Sequence, residues 1–270
     1  MAGLLVQWLG MASIAARQRM QYRFDFFMMT VATLLYSLLV YLVWSAVYAS
    51  QPDQVMPYAQ LITYVMIGQA VDLARNGAPE RTLIFNTASA IRRGDIAVDL
   101  VRPVDFQALR FAEAAGLFAV ETVWVSLPVL ALYVLVLGIP APASPGAAAG
   151  FLVSLMLGFV VSFTVNSIVI GAAFWTTNVF GLQGAKRFTL EMLSGVFIPF
   201  ELLPGWLQPV AAYLPFKAMA YVPLSIYVGR IEGTAMVGAL LEQAGWTVLM
   251  LLLSRLLWAY GLRRMEAYGG

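Results

Sequence analysis

Between Thr122 and Ala185 the chain carries no charged side chain. No element of a water-soluble domain tolerates such a run, because each must turn a polar face to solvent. The turn-rich stretch GIPAPASPGAAAG, Gly138 to Gly150, divides the run into two apolar segments. Each matches the roughly 20 residues that carry a helix across a bilayer core. With 61% hydrophobic and 11% charged residues, the whole chain has too little polar surface to close a water-facing shell. An all-α polytopic membrane protein is therefore expected. His and Cys are both absent, which removes thiol nucleophiles, imidazole bases and the usual zinc and haem ligands. No cofactor is expected on this chain, and the absence of a basic stripe interleaved with aromatics argues against a nucleic-acid partner.

Six crossings are predicted. Phe26 to Pro52 is the first and Val55 to Val71, running past Asp72, the second, joined by the tight turn QPDQVMP. The third and fourth share the charge-free run, Phe188 to Phe200 begins a fifth, and Ala235 to Leu262 forms a sixth with Glu242 and Arg255 snorkelling near its ends. As segments, 1–23 precedes the spans, 24–76 holds spans one and two, 77–112 a long loop and 113–176 spans three and four. Span five and its sequel fill 185–216, and span six 235–262. Basic residues sort to one side. Arg17, Arg19 and Arg23 precede span one; Arg75, Arg81, Arg92, Arg93, Arg102 and Arg110 follow span two; Lys186 and Arg187 lie between four and five; Arg263 and Arg264 follow six. The alternate loops hold only Lys217 and Arg230. By the positive-inside rule both termini and the long loop are cytoplasmic.

The first 23 residues put their arginines after the apolar part, the reverse of a secretory signal, and are expected to be retained. Leu4, Leu5, Trp8, Leu9, Met11, Ala12, Ala15 and Ala16 share an arc opposite Gln7, Ser13, Arg17, Gln18 and Gln21, the pattern of an amphipathic helix at the membrane interface. At the other end of the chain, SGVFIPFELLPGWLQPVAAYLPF, Ser194 to Phe216, is apolar enough for lipid, yet four prolines forbid one helix. Irregular backbone survives at membrane depth only where protein shelters it, so an extracytoplasmic re-entrant pair of half-helices is expected, with Trp206 and Tyr213 at headgroup depth. Glu201 in its turn is read as a cap for the half-helix beginning near Pro204, as a group sensing substrate, or as a solvated charge.

This stretch resembles the segment near the C-terminal end of type 2 ABC transporter permeases, through Ser194, Gly195, Phe197, Pro199, Leu203, Pro204, Trp206, Leu207 and Pro215. Arg93, Gly94, Ile96, Leu100, Arg102 and Pro103 are similar to the R-G-x-I-x-x-x-L-x-R-P stretch of a compact subgroup of about this length. The resemblance implies the permease subunit of an ATP-driven exporter in the bacterial cytoplasmic membrane. It implies two cytoplasmic ATPase subunits that carry ATP and Mg, and a second permease chain, identical or paralogous. It also implies that Arg92, Arg93, Gly94, Asp95, Ile96, Asp99, Leu100, Arg102 and Pro103 dock on the ATPase, and that Gly195, Phe197, Pro199, Glu201, Leu203, Pro204, Trp206 and Pro215 form a re-entrant gate. The closest approach to a phosphate loop within this chain, GLQGAKR at Gly181 to Arg187, lacks the Gly before Lys, the Ser or Thr after it, and a preceding strand. Two other classes are weighed: a structural or assembly protein sharing the permease plan, and a membrane-embedded lipid enzyme, which the scattered acids and missing His disfavour.

Polar residues inside spans are candidates for a pathway. They are Glu121, about two turns beyond Glu113; Ser162, Thr164, Asn166 and Ser167 in span four; and Gln69 and Asp72 near the inner end of span two. The alternative is that Ser and Thr bond their own helix and Asn166 crosslinks neighbouring helices. Arg187 and Glu191 are spaced as an i,i+4 ion pair.

Overall fold

The computed structural model describes residues 2–21, 23–50, 55–76, 78–96, 105–176 and 179–268. Its elements are helical, with no strand among the described residues. Helix α1 is Ala2–Met20, α2 Arg23–Ser50, α3 Tyr58–Asn76 and α4 Ala78–Arg93. Helix α5 is Phe106–Leu137, α6 Pro145–Gly171 and α7 Val179–Leu193. After a broken segment containing the short α8, Leu207–Ala212, come α9, Tyr221–Tyr227, and α10, Gly233–Tyr268.

The helix ends follow local chemistry. Asp105 accepts from the Ala108 amide at 2.6 Å and starts α5; Ser144 accepts from the Ala147 amide at 3.0 Å and starts α6, with Pro145 in its first turn. Gly138, at φ +67°, closes α5 in the left-handed conformation that glycine adopts without strain. Helix α5 thus begins at Phe106 and not near residue 113. Arg110 and Glu113, 2.7 Å apart, satisfy one another on its first turns. Its regular ladder is interrupted by a π turn at Thr122–Ser126, and there the Ser126 hydroxyl donates to the Ala70 carbonyl of α3 at 2.8 Å.

Among the described residues four helices are long and apolar enough to cross a membrane: Phe24–Ser50, Phe106–Leu137, Pro145–Phe174 and Gly233–Arg263. The second and fifth expected spans, α3 and α7, are of another kind. Helix α3 has 19 residues, α7 only 15, and the two carry Gln69, Asp72, Arg75, Gln183, Lys186, Arg187 and Glu191. Gln69, Arg75 and Lys186 are sheltered by other helices, whereas Arg187 is exposed. Helix α3 is the central element, with Leu61, Tyr64, Val65, Met66, Ile67 and Ala70 essentially inaccessible against α2, α5, Val196 and Leu224.

Helices α6 and α10 form a tight pair. Glycine makes the approach possible: a Cβ on Gly150 would run into the Met236 sulfur and one on Gly171 would meet Leu257 Cδ2 at 2.7 Å, while Gly158 lets the Met219 carbonyl oxygen come within 2.9 Å of where a Cβ would sit. Helix α1 lies against the first half of α5, where Gly116 faces the backbone of Ala12 too closely for any side chain. It is anchored by Arg19, whose Nε contacts Glu121 at 2.8 Å and whose Nη1 contacts Asp25 at 2.6 Å. Burial opposes the charge on Arg19, but hydrogen bonds to Asp25 and Glu121 outweigh it and hold its pKa above the ordinary value.

Candidate functional site

The segment after α7 leaves and returns to the same point. The Ser194 carbonyl accepts from the Tyr221 amide at 2.9 Å, so the intervening chain is a closed excursion. Gly195, at φ +78°, makes the exit; a Cβ there would sit 2.9 Å from that of Tyr221, and the inaccessible Tyr64 hydroxyl donates to the Gly195 carbonyl at 2.7 Å. The first limb, Ser194–Pro199, is not helical, so the expected pair of half-helices is reduced to a 3-10 turn at Phe200–Leu202 and α8 on the second limb. Pro199, Pro204 and Pro215 account for the breaks. Phe197 meets Tyr36 of α2 edge-on, Leu203 and Phe200 pack with Ala211, and Trp206 stands exposed.

Glu201 does not cap α8. That helix begins after Trp206 with no side-chain cap, and the Glu201 carboxylate is engaged elsewhere. It receives the Tyr221 hydroxyl at 2.9 Å and Arg230 Nη2 at 2.9 Å, which ties the excursion to the turn before α10. The excursion's turn is held instead by Gln208, whose amide donates to the Leu203 carbonyl at 2.9 Å.

Beneath this segment, toward the end of the molecule that carries most arginines, a cleft of about 530 Å³ opens between α2, α3, α4 and α7. Met29, Leu73, Phe85, Leu190, Val196 and Phe197 form its apolar surface. Three ion pairs form most of the rest: Arg75 with Asp72 at 2.8 Å, Lys186 with Glu80 at 2.7 Å, and Arg187 with Glu191 at 2.7 Å. Lys186 also donates to Asn166 Oδ1 at 2.7 Å, and the Gln183 amide to Glu80 at 2.6 Å, so one lysine joins α4, α6 and α7. Lys186 and Glu80 are 6% and 9% exposed, which puts a complete ion pair out of water. Arg75 is as deeply buried and reaches the Met219 carbonyl.

The candidate residues are therefore sorted by the structure. Asp72 lines the cleft, while Gln69 is buried inside α3 with its amide nitrogen unpartnered among the described residues. Asn166 crosslinks helices, Thr164 bonds its own helix at the Val161 carbonyl, and Ser167 receives Gln107 of α5 and Ser254 of α10. Ser162 is buried, its hydroxyl unpartnered among the described residues. Glu121 is 0% exposed and turned to Arg19 of α1. Lys186 corrects the loop assignment, since α7 runs through Gly181–Arg187 and buries it. Glu242 pairs with Lys217 at 2.6 Å, and Arg255 with Asp105. The cleft pairings Lys186–Glu80 and Arg75–Asp72 join residues that the sequence reading used only as loop charges or left unpaired. A lysine bounded by apolar helical sequence was the available signal.

Of the segment similar to the R-G-x-I stretch, the described part is a turn on an anchored base. Gly94, at φ +79° with open space around it, ends α4, and Ile96 inserts fully into a cluster with Ile84, Ala88, Ile91 and Phe106. Arg92, Arg93 and Asp95 face outward, Arg93 and Asp95 2.8 Å apart. Asp99, Leu100, Arg102 and Pro103 lie outside the described residues.

These features define an integral membrane protein of helices around a polar cleft. A family model described as ABC-2 family transporter protein matches residues 58–269, and the chain belongs to that family, the membrane component of a transporter. Among curated proteins no similar sequence is found.

Proposed function

We propose that the chain is the permease subunit of an ATP-driven exporter, energised by two copies of a separate ATPase and paired with a second permease chain, identical or paralogous. ATP and Mg belong to the ATPase. In this reading α3 and α7 are the second and fifth of six crossings, and both line the cleft. Both termini are cytoplasmic and the membrane is the bacterial cytoplasmic membrane. The asymmetry of basic residues supports that orientation.

The observation that carries the proposal is the placement of the cleft. It lies directly under a closed, proline-broken excursion and is bordered by α4, the helix that leads into the outward-facing turn at Gly94. Movement imposed on that turn reaches the cleft through Ile96 and the Glu80–Lys186 pair. A second arrangement of the same contacts, favoured when nucleotide is bound, opens the roof.

The test is purification of the tagged chain from its native membrane in a mild detergent. A nucleotide-hydrolysing subunit is expected to co-purify, and R93E/D95K to weaken that association with little change in the yield of folded chain. Uphill transport by the purified chain alone would overturn the reading.

A further inference from the structure

The cleft has a property that neither the permease reading nor the family assigns: its charges cancel. Asp72, Glu80 and Glu191 face Arg75, Lys186 and Arg187, and every one is already in a pair. The unspent polar atoms are of both kinds as well. Arg75 Nε is a donor, Asn76 Oδ1 and Gln183 Oε1 are acceptors, and all three are buried with no hydrogen-bond partner among the described residues.

A ligand of net charge would have to compete for one member of a pair and leave the other member's charge without its partner. A ligand with both signs side by side meets no such obstacle. Its cation replaces the arginine at a carboxylate, its anion replaces the carboxylate at the arginine, and every charge stays compensated. Arg187–Glu191 is the pair that can open in this way, at 76% and 36% exposed, whereas Glu80–Lys186 is sealed. The facing surface of Met29, Phe85, Leu190 and Phe197 takes an apolar tail, and about 530 Å³ is a volume ordinary for small-molecule sites.

We infer that this cleft binds an amphiphile with a zwitterionic head, its head exchanging with the Arg187–Glu191 pair and its tail lying against Phe197 and Leu190. The inference rests on the permease reading for calling that amphiphile a substrate. The binding measurement needs no ATPase, so the two fail separately: a missing preference leaves the partner ATPase standing, and a missing ATPase leaves the binding site standing.

The experiment titrates the full chain, in phosphatidylglycerol nanodiscs, with dodecylphosphocholine, dodecyltrimethylammonium, dodecyl sulfate and dodecyl maltoside below their micelle concentrations. Heats are compared with those of empty discs. Dodecylphosphocholine is expected to bind about tenfold more tightly than the other three, a difference of about 1.4 kcal/mol. The neutral double variant R187Q/E191Q is expected to reduce that preference to about twofold or less, while its thermal unfolding midpoint stays near wild type because exposed pairs contribute little. Equal or tighter binding of the cationic, anionic or uncharged probe overturns the inference. So does a preference that survives in R187Q/E191Q.

Discussion

Two regions of this molecule solve the same problem, polar side chains inside an apolar protein, in opposite ways. Between α6 and α10 the groups are neutral and fully reciprocated. Gln243 receives the Ser154 hydroxyl at 2.8 Å and donates to the Ser154 and Ala218 carbonyls, each at 2.7 Å. Further along, Gln107, Ser167 and Ser254 share hydrogen bonds, and the Trp258 indole donates to the Ser167 carbonyl at 2.9 Å. Around the cleft the groups are ionic, on shorter helices, and leave buried atoms unpartnered among the described residues. A neutral clamp with nothing left over has one arrangement. A set of charges with spare donors and acceptors has several, so the α6–α10 pair is the frame and the cleft wall formed by α3, α4 and α7 is the part able to rearrange.

The largest effect that tests this contrast is Lys186→Met. It leaves Glu80 as an uncompensated buried carboxylate at the junction of three helices and is expected to destabilise by about 3–5 kcal/mol. Fluorescence-detected size exclusion after a heating series reads it. The double variant E80Q/K186M is expected to recover most of the loss, because no charge is stranded; a double variant as unstable as the single one would show that the pair does not hold the wall together.

Next is the frame. Gly158→Leu drives a side chain into the Ala218 and Met219 carbonyls, 3.1 and 2.9 Å from the position of its first carbon, where backbone has no room to give. A loss of about 1–3 kcal/mol or more is expected, with the Ala218–Met219 backbone forced away from α6. Gln243→Leu keeps the bulk but leaves the Ser154 hydroxyl and the Ala218 carbonyl without their partner, for about 1–2 kcal/mol. Both should show as a lower unfolding midpoint in detergent and as faster proteolysis near α10. A Gln243→Leu protein as stable as wild type would remove the distinction between frame and wall.

What the sequence made legible follows from how local its signals are. Charge-free length and turn chemistry located α2, α5, α6 and α10, because lipid-facing helices advertise themselves by composition alone. The break at Ser194–Phe216 was also legible, since proline acts on its own neighbours. The first half of helix α7 was not, because its lysine looks like a loop charge until Glu80 is brought to it from 106 positions away. Glu121 shows the same limit: an intramembrane acid reads as a pathway group, and only packing of α1 against α5 reveals Arg19 as its partner. Pairing across sequence distance is a tertiary property, and a single sequence carries no trace of it.

The smallest expected effect separates stability from binding within the cleft itself. Arg187 is well exposed and its pair with Glu191 joins successive turns of one helix, so Arg187→Gln should change stability by less than about 1 kcal/mol, and less still in high salt. Lys186 is the neighbouring residue on the same helix, yet its replacement should cost several times more. The ratio between adjacent basic residues measures how sharply the wall divides into a sealed inner pair and an exchangeable outer one. If R187Q proved as damaging as K186M, the outer pair would be part of the structural support, and no ligand could open it without unfolding α7.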